Sequence, residues 1–187
     1  MLFLDHTMRD VIRVLILGTG QMGSGIARLV LEKQGLALVG AFGRRKERAG
    51  MDVGRAIGLD RDLGIPLSGD LAGVIEQARP HVAIQATCSR LDDAMDEITT
   101  LLRHGVHVIS IAEEMAYPAG CATAAADEIN ALAVANGVGV VGTGALEHIR
   151  MRGPAEHGTD IEAILGGNLL RVWRAVEEHA AETLRQG

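Results

Sequence analysis

The stretch Arg13-Val-Leu-Ile-Leu-Gly-Thr-Gly-Gln-Met-Gly-Ser-Gly-Ile-Ala-Arg28 decides how the rest of the chain is read. Four apolar residues, Val14 to Leu17, run directly into Gly18-Thr19-Gly20-Gln21-Met22-Gly23, after which Ile26, Leu29 and Val30 recur at helical spacing. A strand, a tight glycine turn and a helix in that order form the context in which G-x-G-x-x-G signals dinucleotide binding. Gly18 permits the turn out of the strand, Gly20 lets the backbone approach a pyrophosphate, and Gly23 allows the helix to pack closely. The helix start adds free N–H groups and the positive end of its dipole. Gly18, Thr19, Gly20, Gln21, Met22 and Gly23 are therefore the first candidate cofactor residues.

Working outward, apolar runs alternate with helical patterns. Strands are expected at Ile12–Leu17, Leu36–Phe42, His81–Ala86, Val106–Ser110 and Val138–Gly142, with a short one at Ile65–Leu67. Helices are expected at Gln21–Gln34, from an Asp70 cap to Ala78, from Ser89 or Leu91 to His104, and at Cys121–Asn136. A helical turn is expected within Asp52–Gly58, and residues 1–10 read as a lead-in. In the helix ending at His104, Leu91, Ala94, Met95, Ile98, Leu101 and Leu102 keep one face apolar. Glycines 105 and 137 stand where helices end. Near-continuous apolar strands separated by helices predict an α/β fold of Rossmann type, a doubly wound parallel sheet covered on both faces. After Gly144 no strand is expected. The reading divides the chain into an NAD(P)-binding domain at 1–144 and a helical C-terminal extension at 145–187, whose last helix starts near Asp160.

Composition narrows the function. The chain has 187 residues, 48% of them hydrophobic and only 2% aromatic, so its core is aliphatic. A formal charge of −6 argues against a general nucleic-acid binder. No apolar run reaches membrane-spanning length. The two cysteines, Cys88 and Cys121, are too few for a disulfide framework. With no signal-peptide layout at the start, this predicts a cytoplasmic protein with free thiols. The histidines show neither H-x-H nor H-E-x-x-H, and no metal site is expected. His81 and His107, at strands, are read as structural.

Specificity is read at the strand ends. An acid about 20 residues beyond the glycines would hold the ribose hydroxyls of NAD. Here Gly43-Arg44-Arg45-Lys46 stands instead. Arg44 and Arg45 can pair with a 2′-phosphate, which favours NADP over NAD; the alternative is a solvated basic turn. Ala86 and Thr87, at the carboxyl end of a strand, are placed to line the cofactor near the nicotinamide ribose. Cys88 has no base beside it in sequence and is read as a buried thiol rather than a nucleophile. Glu113 and Glu114 have two open readings: contact with an amine-bearing substrate or the nicotinamide end, or favourable acids at a helix N-terminus. Asp92, Asp93 and Asp96 are read as the solvent face of their helix.

Several motifs in order carry a family resemblance: Gly18-Thr-Gly-Gln-Met-Gly23, Met51-Asp-Val-Gly54, Ala86-Thr-Cys-Ser-Arg-Leu91, Val108-Ile-Ser-Ile-Ala-Glu-Glu-Met-Ala-Tyr-Pro118 and Val141-Gly-Thr-Gly144. Across residues 11–144 the chain resembles the N-terminal NAD(P)-binding domain of 2,4-diaminopentanoate dehydrogenase and its dihydrodipicolinate-reductase-like relatives. The resemblance implies NAD(P)-dependent oxidative deamination of a diamino acid, or the reverse reduction of an imine. It also implies a second, substrate-binding domain after Gly144, and the residues there do not match one. The stretch from Asp160 to Arg174 instead resembles the C-terminal helix of membrane-dipeptidase-type amidohydrolases, without that barrel's metal ligands. Three functions of different class therefore stand side by side: an amino- or imino-acid oxidoreductase using NADP or NAD, a stand-alone or truncated dinucleotide-binding module without catalysis, and a structural or interaction role in which the terminal helix pairs with another chain. Ile161, Leu165, Leu169, Val172 and Val176 give the last helix an apolar face that either docks on its own domain or forms the seam of a homo-oligomer.

Overall fold

The computed structural model describes residues 11–143. The proposed extension at 145–187 and its apolar helix lie outside the described residues. Six strands form one sheet: β1 (Ile12–Leu17), β2 (Leu36–Phe42), β3 (Leu67–Ser68), β4 (Val82–Gln85), β5 (His107–Ser110) and β6 (Val140–Gly142). Their order is β3-β2-β1-β4-β5-β6, and every pairing is parallel. This is the doubly wound Rossmann order, in which the connection reverses direction between β1 and β4. The crevice at that reversal opens at the carboxyl ends of the strands, where the glycine turn lies.

Helices α1 (Gln21–Glu32), α2 (Val53–Ala56), α3 (Leu71–Ala78), α4 (Leu91–Arg103), α5 (Pro118–Cys121) and α6 (Thr123–Asn136) cover the sheet. Alternate residues of β1 enter two separate cores. Val14 and Ile16 pack with Ala27 and Val30 of α1 and Val53 of α2. Leu15 and Leu17 pack with Ile75 of α3, Leu91, Ile98 and Leu101 of α4, and Ile129 of α6. Because both faces are covered, period-two polarity disappears and the strand reads as a continuous apolar run.

Helix ends follow local chemistry. Asp70 Oδ1 accepts from the Gly73 N–H at 3.1 Å and starts α3. Its far end receives the guanidinium of Arg13, whose Nε donates to Ala78 O at 3.2 Å and Arg79 O at 3.1 Å. Helix α6 closes on Gly137.

Several elements are one or two residues shorter than expected, the last strand starting at Val140 and the first helix ending at Glu32, and two segments differ for reasons seen in their contacts. The third strand begins at Leu67, not Ile65. Val53 N donates to Ile65 O at 2.8 Å, and Pro66, without an N–H, forms an isolated antiparallel bridge with Asp52. The loop over 51–53 thus occupies Ile65 and Pro66, leaving only Leu67 and Ser68 for β2. Between β5 and α6 the chain makes a tight turn over Glu113–Ala116 and the short α5, neither of which follows from apolar periodicity.

Candidate functional site

A cleft of about 220 Å³ opens at the carboxyl end of the sheet, lined by Gly18, Thr19 and Gly20, by Gly43, Arg44, Arg45 and Arg48, and by Leu67, Ala86 and Thr87. It joins the turn after β1, the basic turn after β2 and the end of β4, the three places the crevice brings together. Gly18 has φ +94°, and a Cβ there would stand 2.6 Å from Ala86 O. The turn therefore lies against the end of β4 too closely for any side chain. A Cβ on Gly23 would overlap Gly18 O. The third glycine thus admits the loop's own backbone as well as letting the helix pack closely.

Gly20 is the N-cap of α1 with extended backbone, and a Cβ there would meet nothing within 4 Å. The helix start carries no side-chain cap and no acid in its first turn. Its N–H groups and dipole are left to an anion. Gln21 and Met22 are exposed and Gly23 is buried; all three lie in the first turn of α1, and none lines the cleft. The open wall at Gly20, the uncapped helix and the arginines opposite suit a diphosphate joined to nucleosides.

The arginines have unequal surroundings. Arg44 Nε donates to Glu97 Oε1 at 2.7 Å, and its Nη2 donates to Asp93 O and approaches Cys88 Sγ at 3.6 Å. The hydrogen bond to Glu97 is the main cause that raises the Arg44 guanidinium pKa above its ordinary value. Arg48 Nη1 donates to Thr19 Oγ1 at 3.2 Å and its Nη2 to Ala56 O at 3.0 Å, tying the basic turn to the glycine loop and α2. Arg45 is exposed at the mouth of the cleft.

Sequence reasoning passed over two of these residues. Arg48 ends the basic run but turns back toward the cleft because 46–48 forms a single 3₁₀ turn. Glu97 was hidden by its neighbours on α4. Asp92, Asp93 and Asp96 are exposed as expected, whereas Glu97 is only 5% exposed. Its position, three residues after Ala94 and four before Leu101, lies on the apolar stripe, and that was the available signal. Although no acid stands directly at the end of β2 in sequence, where Gly43-Arg44-Arg45-Lys46 follows, α4 supplies a carboxylate to the basic turn in space.

Glu97 belongs to a continuous polar chain beneath the cleft. Its Oε2 accepts from the Thr87 hydroxyl. Thr87 Oγ1 accepts from Gln85 Nε2 at 2.7 Å, and Gln85 Oε1 accepts from Ser110 Oγ at 2.6 Å. Ser110 Oγ accepts in turn from Ala112 N at 3.1 Å. Gln85 and Ser110 are fully buried. Among the described residues no buried side-chain nitrogen or oxygen lacks a partner, as an interior of low dielectric requires.

Glu114 Oε2 accepts from the Leu91 N–H at 2.9 Å, capping α4, whose own N-cap Arg90 offers no side-chain cap. Of the two readings for the paired acids, Glu114 meets the helix-terminus one, at a helix earlier in the chain. Glu113 is half-buried in the turn after β5 and is not part of the cleft lining. His107 Nδ1 accepts from Gly139 N at 2.9 Å and His81 Nδ1 from Arg13 N at 3.3 Å, so each holds backbone in place. Cys88 and Cys121 are free and half-buried. No group of three or more His, Cys, Asp or Glu among the described residues is arranged to hold a metal ion. No described helix is long and apolar enough to cross a membrane.

Strand order, glycine turn and cleft together define a Rossmann-type α/β domain with its site at the switch point. Residues 12–112 match the family model of the dihydrodipicolinate reductase N-terminus, and the chain belongs to that family. It is 39% identical over 136 residues to 2,4-diaminopentanoate dehydrogenase of Acetoanaerobium sticklandii, covering 72% of this chain and 38% of that protein. It is 41% identical over 81 residues to 4-hydroxy-tetrahydrodipicolinate reductase of Moorella thermoacetica, covering 43% of this chain and 29% of that protein. The structure of amine dehydrogenase from Mycobacterium smegmatis superposes with a TM-score of 0.68 at 37% identity, covering 74% of this chain and 40% of that one.

Proposed function

We propose that the cleft binds a pyridine dinucleotide and that the chain supplies the cofactor half of an NAD(P)-dependent oxidoreductase acting on an amino or imino acid, with NADP favoured. The carrying observation is the close approach at Gly18 and the open one at Gly20, opposite Arg44, Arg45 and Arg48 across one cleft. Gly18, Thr19 and Gly20 would face the pyrophosphate with the N–H groups of Gln21, Met22 and Gly23 behind them. The basic turn would face the adenosine ribose, and Ala86 and Thr87 the nicotinamide ribose, with Glu113 beyond. A bound nicotinamide supplies a hydride acceptor or donor. In the oxidative direction an amine would give up a hydride from carbon and a proton from nitrogen to become an imine, which water would convert to a carbonyl and ammonia. The similarity to 2,4-diaminopentanoate dehydrogenase and to an amine dehydrogenase favours an amine-bearing small molecule as substrate. Free thiols at Cys88 and Cys121 suit a reducing, cytoplasmic compartment.

The cleft lining offers no side-chain pair for general acid and base work among the described residues. That favours a second reading, a dinucleotide-binding module without turnover of its own. Titrating the full chain with NADPH and NADH, followed by turnover assays on 2,4-diaminopentanoate, separates the two. Saturable binding with NADP-dependent release of ammonia is the expected result. Binding without turnover would leave the module, and no binding of either dinucleotide would sink both.

A further inference from the structure

Three arginines line the cleft, but they are not equivalent charges. The Arg44 guanidinium is paired with a Glu97 carboxylate that is itself nearly buried. Glu97 is held on its second oxygen by the Thr87 hydroxyl. Drawing Arg44 toward a ligand would leave that carboxylate buried with one oxygen unpaired, an expensive arrangement in a protein interior. Arg48 is likewise committed, to Thr19 on the glycine loop and Ala56 at the end of α2. Arg45 differs: among the described residues its exposed side chain has no hydrogen-bond or ion-pair partner.

We propose that Glu97 is a positioning residue that sets cofactor selectivity, neutralising Arg44 and holding it as cleft wall so that Arg45 alone meets a phosphate on the adenosine ribose. The proposal rests on the reading of the cleft as a dinucleotide site. It changes what the basic turn does. The pair Arg44–Glu97 contributes shape and no net charge, while its link through Thr87 keeps the β2 and β4 walls at a set separation. Selectivity then follows the local net charge.

The test uses the full chain, titrated with NADPH and with NADH by nicotinamide fluorescence, and reads the ratio of the two dissociation constants. Arg45→Ala is expected to lower the preference for NADPH about tenfold, the worth of one charge-assisted hydrogen bond. Arg45→Lys should recover part of it. Replacing the pair together, Arg44→Gln with Glu97→Gln, removes one charge of each sign and leaves a hydrogen bond feasible. It should keep the ratio within about twofold of the parent. Glu97→Gln alone leaves Arg44 uncompensated and should raise the preference for NADPH. A merely structural role for Glu97 would weaken both cofactors alike and leave the ratio unmoved. If the paired replacement abolishes the preference as fully as Arg45→Ala does, Arg44 itself reads the phosphate and the proposal is wrong. It is equally wrong if Arg45→Ala leaves the ratio unchanged. Failure of the parent chain to bind either dinucleotide overturns the underlying reading, and this one with it.

Discussion

At Gly18 one residue joins two strands. Its positive φ and the nearness of Ala86 O both exclude a side chain. Gly18→Ala should cost about 1–3 kcal/mol of stability and lower dinucleotide affinity, because relief of the overlap moves the glycine turn away from β4. Urea unfolding and NADPH titration of the same variant check both parts; unchanged affinity would show that the turn does not touch the ligand. The neighbouring residues were only partly legible. Strand, glycines and helix are local, so the loop shows in the order of residues. The arginine pairing is not local: Arg44 and Glu97 stand 53 positions apart, and only the packing of α4 beside β4 brings them together.

Among the elements, the loop around α2 depends on one carboxylate. Asp52 accepts from Gly54 N at 2.7 Å, Leu63 N at 2.9 Å and Gly64 N at 2.8 Å. These backbone donors, that of Leu63 first, hold its pKa below the ordinary carboxylate value. A depressed pKa in the folded state means stability that is present above the ordinary value of about 3.9 and lost as pH falls through the depressed one. Asp52→Asn should therefore lower the urea midpoint at pH 7 and flatten its decline below about pH 4. Midpoints at pH 7, 4 and 3 decide the matter, and parallel declines in parent and variant would rule Asp52 out as the titrating group. The helical turn here was foreseen from sequence, but its anchor was not, since Leu63 and Gly64 lie beyond the turn and carry no cue in their side chains. Helix α4 teaches a related lesson. Its apolar stripe correctly placed Leu91, Ala94, Ile98, Leu101 and Leu102 in the core, with Met95 half-buried at its edge. The same stripe passes through Glu97, where a charged residue type masks a buried position.

For the whole domain, the central strand is where the two cores meet. Leu15 and Ile16 are adjacent in sequence, fully buried, and belong to different cores. Leu15→Ala and Ile16→Ala should each cost about 2–5 kcal/mol. Urea unfolding measures both. A small loss at either position would mean that one face of the sheet is not closed by helices. The sequence by itself determined the order of strands and helices, the parallel character of the sheet and the glycine turn, because each rests on residues close together in the chain: continuous apolar runs, helical spacing and turn glycines. Only the tertiary structure decided which strand ends share the cleft, that Pro66 and Ile65 serve the 51–53 loop, and that Glu97 lies behind the basic turn. Those are contacts between distant segments, set by how helices pack across the sheet, and no local pattern encodes the charge a neighbouring helix will bring.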